Sequence, residues 1–362
     1  MKLFSILFYL VLGCISHLAA QDSLKSISNP PKKTPKNVIL MIGDGTGLAQ
    51  WDAAQSTQKD NLQVFQMAQA IGFSKTSSSS SFITDSGAGA TAISIGEKTF
   101  NKAIGVKKDS TSAYTLSEIL HVEGYSTGVI ASCGLTHATP ASFYAHQPSR
   151  YMEREIAQDF YGGFIDVAAG GDYTLFDTTK LKKAGYSCYN YQKIKSSDIK
   201  ASRYVLFYDT VKEVKKISEG RGPFLRNATM KAIESLSSNQ KGFFLMVEGS
   251  QIDWGGHDND LNYVISETLD FDTTIGMVAN WAKLNGETLV IVTADHETGG
   301  LSLTGYDKVN KKTEGSFSTK EHTAIAVPVF AFGPGSEEFI GVYENNEIHD
   351  KILKALKAQG LK

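Results

Sequence analysis

The chain reads as an α/β protein with one mainly parallel central sheet and helices on both faces, a three-layer α/β/α arrangement. Short continuous apolar runs of strand length recur between residues 37 and 332, the pattern of strands buried on both faces. Segments with apolar residues at helical spacing lie between many of them, as parallel strands joined by crossover helices require. A length of 362 residues with 41% hydrophobic and 20% charged residues suits one large core at least as well as two small ones.

The first element is a leader. Lys2 precedes an apolar run over residues 3–12, and Ala19 and Ala20 stand before Gln21. A charged start, a short apolar stretch and a small-residue cut site predict a signal peptide over residues 1–20 and an exported protein, periplasmic or secreted. The run is shorter than the ~20 apolar residues that span a bilayer, and no second run of membrane length exists. Val11-Leu12-Gly13-Cys14 loosely resembles a lipobox, so lipoprotein anchoring at Cys14 stays open as the other route of export. Residues 21–36 are polar and punctuated by Pro30, Pro31 and Pro35, which predicts a flexible stem. A single domain then occupies residues 37–362.

Within it, strands are expected over residues 37–42, 127–131, 165–169, 204–207, 243–247, 288–293 and 327–332. Residues 116–124 predict a helix stopped by Gly124, and residues 261–284 a longer one with Val264, Ile265, Leu269, Ile275, Val278 and Trp281 on its apolar side. The serine tract 77–81 has the composition of a flexible loop, here one leading to a site. Residues 186–222 carry weak signals, and a small lid and a plain connection both remain open. After the leader only Cys133 and Cys188 remain, and spacing alone does not show whether they pair. A formal net charge of -2 argues against a nucleic-acid binder, which carries a basic footprint.

In open α/β sheets ligands bind beyond the carboxyl ends of the strands. Asp44 follows the first run, Glu248 follows residues 243–247 with Asp253 and His257 on the loop after it, and Asp295-His296 follows residues 288–293. Singly, each is an ordinary turn or cap residue. Together, so many carboxylates at one edge repel one another unless cations neutralise them, and Arg150 alone is insufficient. Mixed His and Asp ligation suits zinc, and oxygen-only ligation suits magnesium. Ser86 lies in Thr84-Asp85-Ser86-Gly87-Ala88-Gly89-Ala90-Thr91-Ala92, whose small residues can open a helix and admit a phosphate to its N-terminus. A serine hydroxyl needs a base or a metal to act as a nucleophile. The local alternative, a serine that merely caps the helix, stays open.

These segments resemble the alkaline phosphatase family over residues 37 to about 335. Met41-Ile42-Gly43-Asp44-Gly45 is similar to its first metal motif, and residues 84–92 to its nucleophile signature. His137-Ala138-Thr139-Pro140-Ala141 with Arg150 resembles the segment bearing the magnesium threonine and the phosphate-clamping arginine. Glu248 to His257 resembles the acid-rich metal loop, and Asp295-His296-Glu297-Thr298 and Glu321-His322-Thr323 supply the last ligands. The resemblance implies two Zn2+ and one Mg2+. Asp253, His257 and His322 would hold one zinc; Asp44, Asp295, His296 and the Ser86 oxygen the other; and Asp44, Thr139 and Glu248 the magnesium, with His137 beside it. It implies hydrolysis of phosphate monoesters through a phosphoserine on Ser86, with Arg150 pairing two phosphate oxygens.

Two departures matter. The best-known enterobacterial members carry Asp and Lys where this chain has His137 and Trp254, a pairing that resembles other members, including cold-adapted marine ones. The stretch from His296 to His322 is also too short for the insertion that larger relatives place at their dimer interface, so a homodimer stays possible without being implied. Two rival functions remain: a phosphodiesterase or nucleotide pyrophosphatase of the same superfamily, and an exported protein that binds phosphate without turning it over.

Overall fold

The computed structural model describes residues 33–210, 213–307 and 312–360. The leader, Cys14 and all but the last few stem residues lie outside the described residues. The residues from Thr34 onward cluster as one unit. Among the described residues the strands are β1 (Asn37–Gly43), β2 (Ala70–Lys75), β3 (Ser126–Gly134), β4 (Val167–Gly171), β5 (Ser187–Asn190), β6 (Tyr204–Phe207), β7 (Phe243–Gly249), β8 (Thr288–Thr293), β9 (Glu297–Thr298), β10 (Leu301–Asp307), β11 (Lys312–Phe317), β12 (His322–Thr323), β13 (Val327–Phe332) and β14 (Gly341–Glu344). Ten of them form one sheet in the order β14-β2-β13-β8-β1-β7-β3-β4-β6-β5. Only β13 runs against the rest, pairing antiparallel with β8 and β2.

Strand β1 shows why the apolar runs are continuous. Val38, Leu40 and Ile42 pack into the core on one face, with Phe244 and Leu289 in register beside Val38. Ile39 and Met41 pack into the core on the other face, beside Leu245, Val247, Val290 and Val292. Neither face meets water, so neither can carry polar residues, and strict alternation disappears. Helices Leu116–Val122, Glu153–Asp159 and Glu347–Leu356 cover the first face, and Phe224–Leu236 and Leu261–Asn285 the second. The α/β class and the mainly parallel sheet read from the sequence are what the chain adopts.

Some elements were not legible. Strand β2 alternates buried and exposed residues and lies near the sheet's edge, so its apolar content is low. Residues 186–222 contribute the edge pair β5 and β6 and a turn over Ile217–Glu219. The two late cysteines are both free thiols, Cys133 buried and Cys188 partly so. Among the described residues no helix is long and apolar enough to cross a membrane.

Candidate active site and metal centre

Three parallel strands end side by side, and their register sets the site. Ile42 pairs with Glu248 on one side and Thr293 on the other, so Asp44 and Asp295 leave the sheet at one level, two residues beyond that of Glu248 on the adjacent strand. Gly45 turns the chain after Asp44 with φ +69°, and a Cβ there would stand 2.8 Å from Asp253 Cα. Only glycine meets both demands.

Asp253 and His257 are on the helix Gln251–Asp258, not on a loop as the sequence suggested. Four residues apart, they share one helical face. Gly255 and Gly256 gave this stretch the look of a loop, but a Cβ on Gly255 would stand 2.8 Å from the backbone nitrogen of Val264. Gly255 thus serves the packing of this helix against its successor, and Gly256 its packing against β9, where a Cβ would stand 2.9 Å from the Thr298 carbonyl oxygen.

Ser86 is the first residue of the helix Ser86–Ile95 and is buried. The capping alternative fails, because Asp85 is the cap and its Oδ1 accepts from Ala88 N at 3.1 Å. The serine hydroxyl faces His296 Nε2 at 3.2 Å instead. The helix reaches this position because Gly89 lets it lie against β8's end, where a Cβ would be 2.9 Å from the Asp295 carbonyl oxygen.

Two ligand groups share His296: Asp44, Asp295 and His296, and Asp253, His296 and His322. His296 Nε2 lies 3.5 Å from Asp44 Oδ1 and 3.2 Å from Asp295 Oδ2. His257 Nε2 lies 3.4 Å from Asp253 Oδ2 and 3.1 Å from His322 Nε2. Each imidazole is oriented from behind: Nδ1 of His257 meets the Lys320 carbonyl at 2.5 Å, that of His322 the Thr84 carbonyl at 2.9 Å, and that of His296 the Thr298 hydroxyl at 3.2 Å. With Nδ1 donating to these oxygens, every Nε2 turns its lone pair to the centre, the tautomer a metal ligand needs. Asp44 Oδ1 and Asp295 Oδ2 are buried without a hydrogen-bond donor. Buried carboxylate oxygens without donors are costly unless a cation meets them, so this donor set fits divalent metal.

Thr139 Oγ1 donates to Asp44 Oδ2 at 3.2 Å, and Glu248 Oε2 accepts from Cys133 at 3.4 Å. His137 precedes the short helix Ala138–Ala141 and its ring lies 5.6 Å from that of Trp254. Arg150 donates to Asp85 Oδ2 at 3.1 Å, which ties the guanidinium to the nucleophile helix.

The electrostatics follow from crowding. Burial, then the charges of Asp295, Asp253 and Glu248, pushes Asp44 well above the usual carboxylate range. Burial with Asp295 nearby raises Glu248 to about 7, and burial with Asp253 nearby raises Asp295 to about 6. Asp253 moves the other way, because the His257 hydrogen bond and the neighbouring imidazoles outweigh its burial. Its bond in turn raises His257 to about 9, while burial drives His296 well below the ordinary histidine value. Such divergence within one cluster marks functional sites.

Sequence reasoning missed three residues whose partners lie far along the chain. Asp85 holds both the helix and Arg150. Thr298 donates to Asp253 Oδ1 at 2.5 Å. Glu297 is buried and accepts from Gln50 Nε2 at 2.7 Å, from Gly300 and Leu301 N–H at 3.2 Å each, and from Thr323. It thereby ties the His296 segment to the helix Leu48–Gln55 and to β12, which carries His322. Glu297→Ala strands these donors and is expected to cost about 2–3 kcal/mol, read from denaturant unfolding; a loss within ~0.5 kcal/mol would contradict the tie.

The comparisons with known proteins bear on the family and the fold. The alkaline phosphatase family model matches residues 35–168, 171–310 and 303–358. Alkaline phosphatase 3 of Bacillus subtilis is 32% identical over 95% of this chain and 93% of its own length. The solved alkaline phosphatase of the Antarctic bacterium TAB5 is 45% identical, with TM-score 0.86 over 90% of this chain and 100% of that one. A His-to-Asp mutant of the TAB5 enzyme, 44% identical with TM-score 0.86 over 91% of this chain and 99% of that one, has magnesium bound in its M3 site. Motif order, sheet topology and family match coincide over nearly the whole described chain, and the chain belongs to the alkaline phosphatase family.

Proposed function

We propose that the protein hydrolyses phosphate monoesters to alcohol and inorganic phosphate through a phosphoserine on Ser86, at a site for two Zn2+ and one Mg2+. The observation that carries this reading is the Ser86 hydroxyl, 3.2 Å from His296 Nε2 and beside carboxylate oxygens that lack donors. Asp44, Asp295 and His296 would hold one zinc, Asp253, His257 and His322 the other, and Asp44, Thr139 and Glu248 the magnesium, near His137. When bound, these cations lower the pKa of a coordinated hydroxyl or water and neutralise charge on the transferring phosphoryl group.

The chain's own groups do the rest. Ser86 Oγ, freed of its proton, attacks phosphorus in line and the alkoxide or phenoxide departs on the opposite side. Arg150, held by Asp85, offers a planar fork to two nonbridging oxygens, and the N-terminus of Ser86–Ile95 adds its favourable dipole. Water then attacks the phosphoserine, releases phosphate and returns a proton to Ser86. The net change is ester plus water to alcohol plus phosphate. The leader read from residues 1–20 and the family together support an exported enzyme.

Turnover of p-nitrophenyl phosphate should far exceed that of its bis ester; the reverse would favour a diesterase. Absence of turnover with zinc and magnesium supplied would leave only a phosphate binder. Arg150→Ala is expected to raise the inhibition constant of inorganic phosphate by about tenfold or more, the scale of a lost charged hydrogen-bond pair. An unchanged constant would remove the clamp role.

A further inference from the structure

We propose that the rim of this site is shaped for apolar or aryl leaving groups, with Phe82 and Tyr151 as its specificity-determining residues; the inference rests on the monoesterase reading of Ser86 and Arg150. Phe82 is 77% exposed and Tyr151 71% exposed. Single exposed aromatics are ordinary on a protein surface, so position and rigidity decide the matter. Phe82 stands just before Thr84-Asp85-Ser86, and Tyr151 directly follows Arg150.

The loop bearing Phe82 is not the flexible tract its serines suggest. Ser78 N donates to Ser81 O at 3.0 Å and Ser79 N to Thr99 O at 2.8 Å. Asn101 N donates to Ser80 Oγ and its side chain to Ile83 O, each at 3.0 Å. The same turn reaches across to the clamp: Lys102 N donates to Asp85 Oδ1 and Arg150 N to Lys102 O, each at 2.8 Å. Lys102 adopts φ 75°, unusual for a lysine, and its ammonium lies 5.4 Å from the centre of the Tyr151 ring. Non-glycine residues in that region cluster where surroundings over-determine them, often at ligand clamps. An aromatic held out on an ordered loop has little freedom left to lose when it meets a ligand.

The side of the site also matters. In-line displacement sends the leaving group away from Ser86 Oγ. The His296 end of the cluster is sealed, with a side chain 0% exposed, whereas His257 is 36% exposed. The leaving group therefore departs toward His257 and His322. His322 is bonded to the Thr84 carbonyl, which ties the backbone two residues after Phe82 to the residue on that side of the site.

The test compares competitive inhibition by phenylphosphonate and methylphosphonate, whose carbon–phosphorus bonds are not hydrolysed, in the metal-replete enzyme. Phe82→Ala is expected to weaken phenylphosphonate about three- to tenfold relative to methylphosphonate, the scale of one aromatic contact, and Phe82→Tyr to restore the ratio. Tyr151→Ala should shift the ratio in the same direction. A ratio unchanged in both alanine variants, or one in which the two constants move together, overturns the rim while leaving phosphatase activity as the function. Wild-type protein that binds neither phosphonate nor inorganic phosphate overturns both readings.

Discussion

Ser86→Ala is expected to lower kcat for p-nitrophenyl phosphate by roughly 10³-fold or more, because it removes the atom that would become phosphorylated. The change should be clean structurally. Asp85, not Ser86, caps the helix, and alanine favours a helical first turn. The ligand sets around His296 and Asp253 are anchored on other elements, so zinc content is expected to stay close to wild type. The measurements are steady-state turnover, the burst of nitrophenolate in the first turnover, and metal analysis of the same sample. Full activity with a retained burst would take Ser86 out of the reaction. Loss of both activity and bound zinc would instead make the serine mainly structural.

Removing the cations should be as severe, and its pH dependence is set by the groups they neutralise. Chelation by EDTA is expected to abolish turnover, and zinc with magnesium to restore it. It should also make stability pH-dependent. His257, raised to about 9, keeps a proton in the chelated fold that the unfolded chain loses near 6.5. Glu248, raised to about 7, keeps one that the unfolded chain has lost far lower. Wherever the folded state binds more protons, stability falls as pH rises. The Glu248 contribution is therefore present at low pH and lost by about pH 7, and that of His257 is lost as pH climbs from about 6.5 to 9. The loss is on the order of 2 kcal/mol, with the share of His257 discounted because its ring is partly exposed. Zinc binds deprotonated ligands, so the loaded protein gains over the same range. The gap between the melting temperatures of loaded and chelated protein should widen between pH 6.5 and 9. A constant gap would sink this account of the cluster.

Much of the site was legible because strand ends are legible. The runs read over residues 204–207, 288–293 and 327–332 coincide with β6, β8 and β13. Asp44 and Asp295-His296 could be placed from the residues that follow such runs. Strand β2 could not, since a strand near a sheet edge need not be apolar on both sides. Nor could the serine tract, whose order depends on Thr99 and Asn101, or the helix bearing Asp253 and His257, whose glycines answer to a neighbouring helix and to Thr298.

Chain order alone pointed to the class of chemistry: which acids and imidazoles follow which strands, and that a serine stands at the head of a run of small residues. Those features are local, carried by hydrophobic runs and the residues that end them. The fold decided how they meet. Parallel register brings Asp44 and Asp295 to one level with Glu248 on the adjacent strand, the carbonyls of Thr84 and Lys320 turn His322 and His257 inward, and Asp85 fixes Arg150. A hydrogen bond between residues 238 positions apart has no signature in either neighbourhood, because only the packed sheet closes that distance.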